Sequence, residues 1–180
     1  MRTQSGITLI ESLAALALAC ALMAMAAPMF ASTLERYRLR QQALILTSVL
    51  WHARSEAVRL NQPVYVCAAN LKTNLELQGC LPPMGGMRQL WPEGALAFAD
   101  LDAPGNGAYN GGERLKLAML DGRRVAVANR MRQLMFTVEG RVWPSEDVDF
   151  WLSGASGHCL RVHLAANGAA RLGEVDDGCG

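Results

Sequence analysis

Gly6-Ile7-Thr8-Leu9-Ile10-Glu11 leads directly into an apolar run, Leu13 to Ala31, that carries no charge and is mostly Ala, Leu and Met. Roughly 20 apolar residues rising about 1.5 Å each reach about 30 Å, the thickness of a bilayer's hydrocarbon core. Glu11 sits just inside this stretch. A carboxylate there costs about 2.5–3.5 kcal/mol on insertion scales, so an acid at that depth calls for a cationic partner.

Outward from this stretch, the next 30 residues continue the helical pattern. Ala43, Leu46, Leu50, Ala53, Ala57 and Leu60 recur at spacings of three or four and mark one apolar face, while Arg36, Arg40, Thr47 and Arg54 fall mainly elsewhere. One long helix is predicted from Ile7 to about Asn61, ended by Asn61-Gln62-Pro63. Pro28 lies inside it and is expected to kink or loosen it, because proline removes one backbone bond and crowds the preceding turn.

Beyond the helix the signals are those of strands and turns. Val64-Tyr65-Val66-Cys67 and Leu75 to Cys80 read as a hairpin, followed by the breaker-rich loop Leu81 to Gly86. Gly94 to Ala99 reads as a strand. Leu115 to Leu120 and Arg123 to Ala128 flank Asp121-Gly122, a hairpin signal. Leu134, Phe136 and Val138 alternate before Glu139-Gly140 returns the chain into Arg141-Val142-Trp143. Asp149 to Leu152 and Cys159 to Leu164 pair across a Gly/Ser loop, and Asn167-Gly168 turns a last hairpin ending at Val175. A long helix followed only by antiparallel hairpins gives an α+β fold.

Composition bounds the rest. The net charge of +1 argues against a protein that coats nucleic acid globally. Cys20 lies in the apolar run and reads as a small hydrophobe. Cys67, Cys80, Cys159 and Cys179 form an even set downstream of an export segment and read as disulfides in an oxidising compartment. Three connectivities are open. Local pairing, Cys67 with Cys80 and Cys159 with Cys179, is favoured because each pair brackets one turn-rich stretch. Zinc is the rival, but no Cys-x-x-Cys is present.

The opening motif resembles the processing site of type IV pilins and type II secretion pseudopilins. The resemblance implies cleavage by a prepilin peptidase between Gly6 and Ile7, N-methylation at Ile7, and pairing of Glu11 with the freed amine of a neighbouring subunit. Ile7 stands where phenylalanine is most usual. Pilins also commonly carry a proline at the depth of Pro28. The further match is to minor pilins and pseudopilins of the GspH/FimT type. It is carried by Ala53-Arg54-Ser55-Glu56-Ala57-Val58-Arg59-Leu60-Asn61, Val64-Tyr65-Val66-Cys67, the Asp-rich loop from Asp100, Phe136-Thr137-Val138-Glu139-Gly140-Arg141 and the Asn167-Gly168 turn, and spans nearly the whole chain.

On that resemblance the chain divides into a leader, 1–6; a transmembrane half-helix, 7–31; an amphipathic half-helix, 32–61; and an antiparallel β head, 62–180. The expected protein is a minor type IV pilin, not an enzyme. It would be anchored once in the inner membrane with its C-terminal domain in the periplasm, then built into a pilus fibre, with the tip as the favoured position. Its expected partners are other pilins or pseudopilins, the membrane and the peptidase. The alternatives are a minor pseudopilin of a type II secretion system and a DNA receptor of natural transformation. An ordinary secretory signal competes with the processing motif: Arg2 and Ala24-Met25-Ala26 fit one, but Glu11 sits at the entrance of its apolar region. Flanking charge also runs against the expected orientation, since Arg36, Arg38 and Arg40 follow the span and only Arg2 precedes it.

Three clusters complete the reading. Asp100, Asp102 and Asn106, with Glu113 later, place hard oxygen ligands in a Gly-bearing loop and suggest calcium. Pro104 interrupts the ligand spacing, and Asp and Asn also favour turns by bonding nearby amides, so the turn is favoured and no cofactor is expected. Arg123, Arg124, Arg130 and Arg132 could grip phosphates, yet the favoured reading is a solvated face, with DNA as the less favoured partner. His52, His158 and His163 are scattered in the sequence, with no acid or nucleophile at suggestive spacing. Trp91, Trp143 and Trp151 read as core or rim residues.

Overall fold

A computed structural model describes residues 9–86, 88–102 and 105–178, the side-chain surroundings of 26–28 excepted. The chain falls into two compact units, Met1–Glu35 and Arg36–Gly180. Helix α1, Leu9–Leu60, begins in the first and continues into the second.

In the first unit α1 is a helix of almost wholly exposed apolar side chains, among them Leu9, Ile10, Leu13, Leu16, Leu22 and Phe30. Residues 12–34 carry no charged side chain. The helix is long and apolar enough to cross a membrane. Helical backbone continues through Pro28, so the chain does not melt there. Leader residues 1–6 and the expected helix start at Ile7 lie outside the described residues.

In the second unit α1 turns Leu39, Ala43, Leu46, Val49, Leu50, Ala53 and Ala57 into the core. Thr47 corrects the sequence reading: it is buried too, with its hydroxyl donating to the Ala43 carbonyl at 2.8 Å. That bond satisfies the hydroxyl inside the helix and lets a polar residue share the apolar face. The helix ends in a left-handed cap. Asn61 takes φ 53°, its amide donates to the Val58 carbonyl, and the Gln62 amide donates to that of Ala57. This is the Schellman pattern, and Asn is among the few residues with a side chain that adopt its conformation cheaply.

Two antiparallel sheets follow. The first contains β1 (Val64–Leu71), β2 (Leu77–Cys80), β4 (Gly94–Ala99), β5 (Arg114–Met119), β7 (Gln133–Phe136) and β8 (Val142–Trp143), in the order β5-β4-β1-β7-β8 with β2 on β1. The second contains β3 (Gln89–Leu90), β6 (Val125–Asn129), β9 (Val148–Gly154), β10 (His158–Leu164) and β11 (Ala170–Asp177), in the order β11-β10-β9-β6-β3. The buried helix face and the inner faces of both sheets share one core, with Trp91 edge-on to Phe150 at 5.2 Å inside it. β1 and β4 are buried on both faces. On the far side Cys67, Leu96 and Phe98 form a second cluster under Tyr65 and Tyr109. Near-continuous apolar runs in these two strands follow from that double burial.

One expected hairpin is absent. The strands flanking Asp121-Gly122 belong to different sheets: β5 pairs with β4, and β6 pairs with β9 and β3. Gly122 does not take a positive φ; a side chain on it would run into the Pro92 carbonyl at 2.2 Å. Its amide donates to that same oxygen at 3.0 Å, and the Asp121 amide donates to Gln42 of α1. The glycine therefore serves a close backbone approach where the chain crosses between sheets.

Candidate functional site

Glu11 stands in the first turn of α1 on an exposed surface, followed by the charge-free apolar helix. An acid in the first turn interacts favourably with the helix dipole. The two residues it was read with, Gly6 and Ile7, lie outside the described residues.

In the second unit, three segments of the motif set meet at one side chain. Arg54, from the helix end, donates through Nε to the Gly140 carbonyl at 3.1 Å. Gly140 closes the β7–β8 turn with φ +72°, and Gly168 turns β10 into β11 with φ +82°. A Cβ on Gly168 would lie 2.1 Å from the Gly140 oxygen and 3.0 Å from Arg54 Nε. Both glycines are thus required twice, for their backbone angle and for the space Arg54 occupies. The three segments form one packed unit that pins both turns to the helix.

Cys67 and Cys80 are disulfide-bonded, with Cα atoms 5.7 Å apart, and tie β2 to β1. Cys159 is also disulfide-bonded. Its expected partner, Cys179, lies outside the described residues.

The acidic loop folds over the outer face of the first sheet, with Tyr109 edge-on to Phe98 at 5.7 Å. Oxygens of Asp100, Asp102 and Glu113 lie within 4.8 Å of one another. Each carboxylate already accepts hydrogen bonds from within the loop. Asp100 takes the amides of Asp102 and Gly107, Asp102 the side-chain amides of Asn106 and Asn110, and Glu113 the backbone amides of Leu101 and Asn110. Glu113 does so while buried. Ala103 and Pro104 lie outside the described residues. This is the chemistry of a self-bonded turn; a calcium ion would have to share oxygens that already hold amides.

Arg123, Arg124, Arg130 and Arg132 are all exposed, but β6, a five-residue strand about 16 Å long, lies between the first two and the last two. Arg124 lies 3.7 Å from Asp121. Arg130 and Arg88 border a cavity of about 270 Å³ whose wall also holds Trp151, Glu146, Asp147 and Asp149. Its charge is mixed.

Two of the three histidines, His158 and His163, do find acids, which spacing along the chain concealed. Strand register puts His163 opposite Asp149, with Nδ1 2.8 Å from the carboxylate, and His158 lies 2.7 Å from Asp177. Asp177 also accepts from Arg36 of α1 at 2.9 Å. These pairs join neighbouring strands, and the last strand to the helix.

Residues 42–168 match the model of a family described as type II transport protein GspH. The chain belongs to the GspH family. The fold is also that of Pseudomonas aeruginosa (strain PAO1) type IV minor pilin FimU, solved in two crystal forms. One matches with a TM-score of 0.58 and 19% identity over 81% of this chain and 97% of that one. The other gives 0.55 and 19% over 78% and 99%. No curated protein matches. This GspH-family chain is therefore of the structural, pilin-like kind, and membership implies assembly with other pilin-type subunits. Its apolar N-terminal helix and family suit a single-pass membrane protein with a periplasmic head.

Proposed function

We propose that the chain is a minor type IV pilin, an assembly subunit with no catalytic role. It is inserted in the inner membrane as a precursor and cut by a prepilin peptidase between Gly6 and Ile7. It is then methylated at Ile7 and built into a pilus, at or near its tip. The observation that carries this reading is Glu11 at the head of an exposed, otherwise charge-free apolar helix that continues into a GspH-family head. In a bilayer that acid needs a counter-charge, and the trimmed amine of an adjacent subunit supplies one. The exposed apolar side chains behind it pack against other pilin helices.

Glu11→Leu tests the pairing. The variant is expected to insert in the membrane and be processed normally but to be depleted from sheared fibres. Wild-type incorporation would contradict the role given to Glu11. The family model's own description favours one second reading, a minor pseudopilin of a type II secretion system. Deletion separates them: loss of surface fibres with protein secretion intact supports the pilin, and the reverse supports the pseudopilin.

A further inference from the structure

The cavity bordered by β3, β6 and β9 has no part in the assembly role. Strand register sets its cationic side. Gln89 of β3 pairs with Asn129 of β6, and the next residue outward on each chain is an arginine, Arg88 and Arg130. Both are exposed and both border the cavity. Like charges side by side across two strands repel unless an anion lies between them. Among the described residues, neither guanidinium is in an ion pair.

A buried donor lies in the same wall. Asn129 is only 2% exposed, and its Nδ2 has no hydrogen-bond partner among the described residues. The amide's orientation is fixed, because Oδ1 accepts from the Met131 backbone amide at 2.8 Å. The group left over is therefore the NH2. A buried donor without a partner is costly, and in a native fold it calls for a bound group.

The chain leading into β9 supplies acids to the same cavity. Asp149 is met by His163 and Arg161, and Asp147 by His163 and the Ala166 amide. The Glu146 carboxylate is exposed and has no partner among the described residues. Opposite charges thus line one cavity without meeting. Met131 and Trp151, both half-buried, add apolar surface between them, and Arg161 lies over the indole at 5.8 Å.

We infer that this cavity binds a zwitterionic small molecule, an α-amino acid with an apolar side chain. Its carboxylate lies between Arg88 and Arg130 and accepts from Asn129 Nδ2. Its ammonium group faces Glu146, and its side chain rests on Met131 and Trp151. A simple anion would answer the arginines but leave Glu146 repelling it, and a simple cation would do the converse. Only a ligand carrying both charges matches the whole lining. The volume of about 270 Å³ lies just below the range of sites for drug-sized ligands, which suits a molecule of this size.

The test titrates the 15N-labelled full-length chain in detergent, reading the indole N–H resonance of Trp151, assigned with Trp151→Phe. Racemic leucine is the probe, with N-acetyl-leucine, leucinamide and glucuronate as comparators. They lack the ammonium group, the carboxylate, and both ammonium and apolar side chain in turn. Leucine is expected to give a saturating shift and to bind at least about tenfold more tightly than any comparator, the factor expected for one charge-assisted contact. Arg130→Gln should weaken leucine binding by about the same factor. Glu146→Gln should erase the preference for leucine over N-acetyl-leucine while leaving N-acetyl-leucine binding no weaker, a selectivity change that a merely structural role would not produce. Both substitutions are at exposed positions, and the thermal midpoint reports folding of each variant. No saturating shift with leucine, a comparator binding as tightly as leucine, or wild-type leucine binding in either folded variant would overturn the inference. The titration needs neither processing nor a fibre, so its outcome is independent of the Glu11→Leu experiment.

Discussion

Arg54 does more for this head than a surface arginine normally does. Its Nε holds the Gly140 carbonyl, and its stem fills the space that two positive-φ glycines leave open. Arg54→Ala strands a part-buried carbonyl, so a loss of about 1–3 kcal/mol is expected in denaturant unfolding of the full chain in detergent. Gly168→Ala should cost at least a comparable amount, because it strains the backbone and meets the Gly140 oxygen. A neutral Gly168→Ala would show that the two turns are not packed as described. Two acids, the half-buried Glu56 and the exposed Glu139, give a smaller effect. Glu56 is held below the usual carboxylate range by its hydrogen bonds from Arg59, and Glu139 by the Thr137 hydroxyl. A carboxyl depressed in the folded state stabilises above its ordinary pKa and loses that contribution as pH falls through the depressed value. Any such dependence should therefore appear below about pH 4.3, the ordinary glutamate value, and be smaller in Glu56→Gln, where only the Glu139 share remains.

The β1–β2 hairpin and the acidic loop each have a distinct stabilising device. Replacing both Cys67 and Cys80 by Ala should destabilise the head by about 2–4 kcal/mol, read as a lower denaturant midpoint, since the unfolded chain regains the freedom of a short loop. The acidic loop should behave as a turn: millimolar calcium is expected to leave the thermal midpoint unchanged, and a rise would reveal a bound ion. These elements also show what the sequence makes legible. The buried helix face, β4, the β9–β10 pair and the last hairpin follow from local periodicity and turn residues. Asp121-Gly122 misled because the signal for a tight hairpin is also that for close backbone approach, and Pro92, far away in sequence, decides between them. The His163–Asp149 pair depends on strand register, which no spacing along the chain encodes. Short β3 carries two residues, too few for any pattern.

At the scale of the whole molecule, one helix gives the chain two characters. Its first part is apolar on nearly every side and suits lipid or a bundle of like helices; its second is half buried under two sheets. A soluble protein gains nothing from the first part, and a simple anchor does not need Glu11. Both features make sense together in a subunit that leaves the membrane by exchanging lipid for neighbouring helices. On the proposed function, a cut between Gly6 and Ile7 would supply the new amine beside each acid. Intact-mass and N-terminal sequencing of the mature protein recovered from its native host test this most directly. The expected result is a chain beginning at a methylated Ile7; a chain still joined through Gly6, or one beginning after Ala26, would contradict it.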